Sequence, residues 1–227
     1  MNLLGRLLSQ SGKPRGRFGR FLVRGMNFGH AGLTRWGLTK VEISENATVL
    51  DIGCGGGRTI ERLASLARLG KAIGIDYSKD SVTVARKRNQ RLIDSGRVEV
   101  VQGLVSAMPF PDATFNFVSA VETYYFWPDI AGDLAEVRRV MKPRGQLLII
   151  AGMYRGSRYD KRNERLIRAG GMRCFSVQEF EETLKDAGFP MVAVTVEPRK
   201  GWICVVSGLK FNRAPLEDSS PNMSFVM

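Results

Sequence analysis

"VLDIGCGGGRT", residues 49–59, sets a short apolar run carrying one carboxylate against four glycines and a cysteine. Val49 to Ile52 is too short for a helix and reads as a buried strand, the glycines as a turn, and "RTIERLASLARL" (58–69) as the helix that follows. Ile60, Leu63, Ala64 and Ala67 fall at helical spacing on one face of it. A strand passing through a glycine turn into a helix opens a strand–helix unit on a parallel sheet. Glycines there remove each Cβ where backbone meets the unpaired N–H groups of a helix start, so a closely fitting ligand is expected. A tight turn with nothing bound is the competing reading.

Outward from this unit the alternation continues. "KAIGIDYS" (71–78) reads as a second strand, and "KDSVTVARKRNQRLIDSG" (79–96) as one helix capped by Ser78 and closed by Gly96. "RVEVVQG" (97–103) and "FNFVSAVE" (115–122) give a third and a fourth strand. "IAGDLAEVRRVMKPRG" (130–145) is a helix ended by Pro143 and Gly145, and "QLLIIAG" (146–152) a fifth strand. In "SVQEFEETLKDAGF" (176–189), Ser176 and Glu179 form a capping box before a last helix. "MVAVTVEP" (191–198) and "GWICVVSG" (201–208), joined by a turn at Pro198–Gly201, complete the pattern. The expected fold is α/β: a doubly wound, mostly parallel, seven-stranded Rossmann-like sheet with an N-terminal helical arm. Residues 1–47 read as a basic arm or lid, 48–209 as the domain with a basic insert at 152–175, and 210–227 as a tail.

The formal charge of +12 is uneven: eight Lys or Arg residues precede Glu42, the first acidic residue. The arm mixes arginine with Leu, Phe and Val. It reads as a solvated basic segment, a membrane-surface or nucleic-acid contact, or a mitochondrial targeting segment. No apolar run approaches the length that spans a membrane. Cys54, Cys174 and Cys204 are too few and scattered for a disulfide framework, and with no C-x-x-C pair no metal is expected. A reducing, cytoplasmic setting follows, or a mitochondrial one if the source is eukaryotic and the arm a targeting segment.

The end of the second strand narrows the ligand. Asp76 stands where an acidic side chain accepts hydrogen bonds from both ribose hydroxyls of a nucleotide-like cofactor. The loop has neither the G-x-G-x-x-G spacing of a dinucleotide site nor the G-K-[ST] ending of a phosphate loop. Phosphate is therefore a poor fit.

With "VLDIGCGGG", "GIDYS" and "MPFPDATFNFV" in this order, the stretch from about Val49 to Ala151 resembles the class I S-adenosylmethionine-dependent methyltransferases, in the small-molecule, methyltransferase type 11-like branch. The resemblance implies that Gly53 and Gly55 lie against the methionine part of S-adenosylmethionine and that Asp51 anchors that end. Asp76 would bind the ribose hydroxyls and Tyr77 pack on the adenine. Leu104 and Val105 would form an apolar floor under the base, with Cys54 and Val121 bordering the cofactor. Cys54 also reads, like Cys174, as a small buried filler. Two positions depart from the family pattern: Leu104 stands where an acidic residue recognises the adenine amine, and Asn116 replaces another acid. The second departure reads as structural, an amide capping the start of the fourth strand.

"VETYYFWPD" (121–129) follows the fourth strand, where the reacting partner sits in open parallel sheets. Its aromatic cluster is expected to exclude water and bind an apolar or aromatic acceptor, although part of it reads as core, Trp127 first. Methyl transfer needs alignment above all, and a base only when the acceptor loses a proton. Candidates are Glu122, Tyr124, Tyr125 and His30, the single histidine, which also reads as a structural hydrogen-bonding residue. The insert, with seven Lys or Arg against Asp160 and Glu164, reads either as an acceptor contact or as a solvated helix. The expected function is methyl transfer to a small molecule. The alternatives are an RNA methyltransferase using the basic arm and a non-catalytic relative that keeps the fold. No recognisable RNA-binding module or N-P-P-Y-like sequence supports the RNA reading, and the sequence specifies no oligomeric state.

Overall fold

The computed structural model describes residues 30–208, so most of the predicted basic arm and the predicted tail lie outside the described residues. Helix α1 (Ala31–Leu38) precedes β1 (Thr48–Ile52), α2 (Arg58–Leu66), β2 (Lys71–Asp76), α3 (Lys79–Arg88), α4 (Gln90–Asp94) and β3 (Val98–Gln102). Then come β4 (Phe115–Val121), a 3-10 turn (Tyr124–Phe126), α5 (Ile130–Val140), β5 (Met141–Ala151), α6 (Asp160–Gly170), α7 (Val177–Asp186), β6 (Met191–Glu197) and β7 (Trp202–Gly208). The strands form one seven-stranded sheet in the order β3-β2-β1-β4-β5-β7-β6. Strands β1 to β5 are mutually parallel, and β7 runs antiparallel to both β5 and β6. After β3 the chain returns to the other side of β1, so the strand order reverses between β1 and β4. Their carboxyl ends open a crevice at that switch point.

The strands are apolar on both faces because helices cover both. Val49, Phe117, Leu148 and Ile150 pack with residues of α1, α2 and α3. Leu50, Ile52, Val118, Leu147 and Ile149 pack with residues of α5 and α7 on the opposite face. Each fully buried Leu or Ile contributes about 1.5–3 kcal/mol, so the two layers hold the strand ends rigidly enough to carry a site. Ser78 caps α3, its hydroxyl accepting from the Ser81 N–H at 3.4 Å. At α7 the Ser176–Glu179 capping box forms in both directions, at 3.2 and 2.8 Å.

Three boundaries differ from the sequence expectation. Helix 79–96 breaks at Asn89, whose buried Nδ2 donates to the carbonyls of Ala85 (2.9 Å) and Gly57 (3.0 Å), tying the helix end to the glycine turn. The helix expected to reach Gly145 stops at Val140, because Pro143 cannot donate within a helix and Arg144 takes φ +68°. Those residues instead form the irregular start of β5, opposite Phe115–Phe117. Finally, packing begins before residue 48. Leu33, Thr34 and Gly37 of α1 are buried, Trp36 lies 5.8 Å from Trp202, and the Cys204 thiol meets the Gly37 carbonyl at 3.9 Å. From α1 onward the arm is a layer of the domain, lying on β5 and β7.

Candidate active site

The glycine turn is fixed by backbone. Gly53 and Cys54 N–H both donate to the Ile75 carbonyl, at 2.8 and 3.1 Å, and Gly57 N–H donates to the Cys54 carbonyl at 2.9 Å. Its glycines do different jobs. Gly53, at φ +67°, leaves room for another part of the protein: a Cβ there would lie 2.1 Å from Thr123 Oγ1, just after β4. Gly55, at φ +51°, faces open space, its nearest prospective neighbour being the Gly53 carbonyl at 4.0 Å. The Cys54 side chain is buried among Ile60, Leu63 and their neighbours, so only its main chain borders the turn.

Two carboxylates lie behind and beside this opening. Asp51, 2 % exposed, accepts the Ser119 hydroxyl at 2.6 Å. Burial pushes its carboxyl up to about 7, opposed by the Ser119 hydrogen bond and reinforced by the charge of Asp76. Asp76 is also raised by burial, partly offset by backbone donors. Its Oδ2 accepts from Gly55 N–H at 2.9 Å and its Oδ1 from Ser78 N–H at 2.8 Å. The Ser81 side chain also hydrogen-bonds this carboxylate, so three donors are in place and a lone pair remains for a ligand hydroxyl. Tyr77 is half-buried beyond Asp76, with its carbonyl taken by Gln102 Nε2 at 3.2 Å. Val105 and Val121 are half-buried, whereas Leu104 is 55 % exposed. Asn116 Oδ1 accepts from the Thr48 N–H at 3.0 Å, tying β4 to the start of β1.

Beyond β4 the chain turns sharply. Glu122 adopts φ +57°, a left-handed conformation that costs a side chain of this kind about 1–2 kcal/mol. Its N–H donates to the Ile150 carbonyl at 2.8 Å. The carboxylate Oε1 accepts from Tyr125 OH at 3.1 Å and closely from the Gly152 N–H, while Oε2 lies 3.6 Å from His30 Nε2. Three of the four candidate catalytic residues therefore meet, although His30 precedes β1 and Glu122 follows β4. Tyr125 also accepts from Met153 N–H at 3.1 Å. Burial, followed by the charge of Glu122, pushes its phenol well above the ordinary value, so Tyr125 is a donor and not a base.

Tyr124 is placed elsewhere. It is fully buried, its hydroxyl accepts from Phe175 N–H at 3.3 Å, and its ring lies 4.8 Å from that of Phe180. Trp127 is likewise core, so of the expected aromatic wall only Phe126 remains half-buried. The sequence also gave no sign of Thr123 against Gly53 or of the Gly152 donor to Glu122, since both depend on strand register. In the insert, α6 buries only Asn163, Arg162 lies over the Tyr159 ring at 4.7 Å, and Arg155 pairs with Glu179. It is a mostly solvated helix.

A family model described as "Methyltransferase domain" matches residues 50–149, the segment that builds the turn, both carboxylates and β4. The chain is 30% identical over 176 residues to a fatty-acid O-methyltransferase of Mycolicibacterium smegmatis, covering 76% of this chain and 53% of the relative. It is 32% identical over 111 residues to a demethylmenaquinone methyltransferase of Bacillus licheniformis, covering 48% of this chain and 47% of the relative. The chain thus spans about half the length of these curated relatives. A crystal structure of a SAM-dependent methyltransferase from Aquifex aeolicus shares the fold, with a TM-score of 0.67 at 23% identity, covering 84% of this chain and 98% of that one. By motif order, sheet order and matched domain, the chain belongs to the class I S-adenosylmethionine-dependent methyltransferases.

Proposed function

We propose that this chain transfers a methyl group from S-adenosylmethionine to a small-molecule acceptor in the crevice at the carboxyl ends of β1, β2 and β4. The observation that carries the reading is the open face of Gly55 beside the Asp76 carboxylate, with a second buried acid, Asp51, behind it. A cofactor bearing a ribose, an ammonium group and a sulfonium matches a pocket of backbone and two carboxylates that lacks a phosphate-loop lysine. When bound, it supplies a methyl group made electrophilic by the positive sulfur.

In this reading Asp76 holds the ribose hydroxyls, and Gly53 and Gly55 border the methionine part with the Cys54 main chain. Asp51 supports the ammonium end, and Tyr77, Val105 and Val121 line the base and methyl side. Leu104, being exposed, reaches the base only from the rim. The matched relatives, named for a fatty acid and for demethylmenaquinone, support small-molecule acceptors over nucleic acid. A reducing, cytoplasmic setting goes with three free cysteines.

Calorimetric titration with S-adenosylhomocysteine tests the reading. Wild-type protein binds it, and Asp76→Ala weakens binding by about 1–3 kcal/mol through loss of charge-assisted hydrogen bonds. A folded wild-type protein with no affinity for the cofactor product would refute the proposal, and unchanged affinity in folded Asp76→Ala would refute the ribose assignment.

A further inference from the structure

Methyl transfer by itself does not require the group that the fold assembles at the end of β4. Glu122 occupies a left-handed backbone conformation next to Thr123, whose side chain lies against the glycine turn, and its carboxylate lies beside Gly152 at the end of β5. One oxygen is held by two donors, Tyr125 OH and Gly152 N–H, and the other faces the His30 imidazole at 3.6 Å. A charged side chain anchored on one oxygen and aimed at a ring with the other is the arrangement that fixes an imidazole's orientation and tautomer. A carboxylate facing Nε2 favours the tautomer with its proton there, and among the described residues no partner takes the Nδ1 lone pair. With the His30 side chain 34 % exposed and that of Glu122 16 % exposed, the ring is the more open of the two to solvent.

We infer that His30, positioned by Glu122 and Tyr125, is the general base of this site, and that the acceptor is a protic one, the hydroxyl of a phenol or enol. This rests on the methyltransferase reading and adds to it the acceptor class. As the acceptor oxygen bonds the methyl carbon, the carbon–sulfur bond breaks and its electron pair stays on sulfur. The hydroxyl proton passes to His30 Nδ1. The positive charge lost by the sulfonium reappears on the imidazolium, where Glu122 offsets it, and the proton then leaves to solvent. An acceptor ionised in water, such as a carboxylate, has no use for this pair. A phenol does, because its neutral form is a poor nucleophile and the tyrosines here are held protonated, unable to take its proton.

The test uses the full chain, S-adenosylhomocysteine and 4-nitrophenol, whose anion is yellow, in buffer acidic enough that free 4-nitrophenol is mostly neutral. Calorimetry first measures cofactor-product binding in wild type and in His30→Ala, with His30→Asn as a second variant should the first fail to fold. Expected are equal affinities for S-adenosylhomocysteine, bound 4-nitrophenol shifted toward its anion in wild type, and loss of that shift in the variant. With radiolabelled S-adenosylmethionine, methyl transfer to 4-nitrophenol is expected to fall roughly 100-fold in the variant and to recover in part with added imidazole. Equal ionisation of the bound phenol in both proteins overturns the proposal. So does transfer within threefold of wild type, or a wild-type protein that binds S-adenosylhomocysteine yet neither binds nor methylates the phenol. Failure of wild type to bind S-adenosylhomocysteine is the distinguishable outcome that removes the methyltransferase reading, and this inference with it.

Discussion

On the β1–β2 side of the crevice, Asp51, Gly53, Gly55 and Asp76 all come from one strand–helix–strand stretch and act through backbone geometry and two buried carboxylates. On the β4 side, Glu122, Tyr125, Gly152 and His30 come from the ends of β4 and β5 and from the start of α1, and most of them act through side chains. A ligand that is the same at every turnover suits a mould of main chain, which tolerates few substitutions. An acceptor site assembled from side chains on separate elements can be changed one residue at a time without disturbing that mould. The difference predicts where a substitution costs folding and where it costs chemistry.

The largest effect is expected within the mould itself. Gly53→Ala forces a Cβ into Thr123 Oγ1 at a residue already in the left-handed region, and should destabilise the protein by about 3 kcal/mol. Gly55→Ala meets the same backbone restriction without the clash and should cost about 1 kcal/mol of stability, while narrowing the open face of the turn. Urea denaturation separates the two. Equal losses would show that the contact between the turn and the β4 segment carries no weight.

Asp51→Asn is the next test, because it sets stability against binding. The carboxyl of Asp51 sits at about 7 in the folded protein, above its value of 3.8 when unperturbed. Between those two values the folded state holds a proton that the unfolded state has released, so stability falls as pH rises through this window. Above pH 7 the full penalty of a buried carboxylate is present, about 2–4 kcal/mol. Asn keeps an acceptor for the Ser119 hydroxyl and carries no charge. The variant should therefore be more stable than wild type at pH 8, with the gain vanishing near pH 4, while its affinity for S-adenosylhomocysteine drops. A melting temperature that differs equally at both pH values would contradict the burial argument.

The same division explains what could be read in the sequence. Asp51, the glycines and Asp76 are legible because a strand, a tight turn and a second parallel strand fix their relation over a short stretch, and the alternation of elements gave the sheet. Glu122 is recognisable as the first polar residue after an apolar strand. Its partners are not, since the contact with Gly152 depends on the β4–β5 register and that with His30 on how α1 lies across β5 and β7. Tyr124 and Tyr125 are adjacent and chemically identical, yet the 3-10 turn sends one hydroxyl to Phe175 N–H in the core and the other to Glu122. Hydrophobic pattern cannot distinguish them. Asn89 ended a helix without Gly or Pro because a buried amide found two carbonyls, another contact between separate elements.

The smallest expected change lies on the acceptor side and measures how independent it is. Tyr125→Phe keeps the ring, which packs 4.4 Å from Tyr124 and 6.2 Å from Phe126, and removes only the hydroxyl. Glu122 Oε1 then keeps the Gly152 donor, and Met153 N–H loses its acceptor, so the stability cost should be about 1 kcal/mol. Because the carboxylate that orients His30 is left with one fewer donor, kcat for 4-nitrophenol should fall by about 3- to 10-fold, the equivalent of roughly 1 kcal/mol. Binding of S-adenosylhomocysteine should not change, since Tyr125 touches none of the turn that would hold it. A fall in cofactor-product affinity matching the fall in kcat would instead mean that the two sides of the crevice are one mechanical unit, with Thr123 against Gly53 as the contact that joins them.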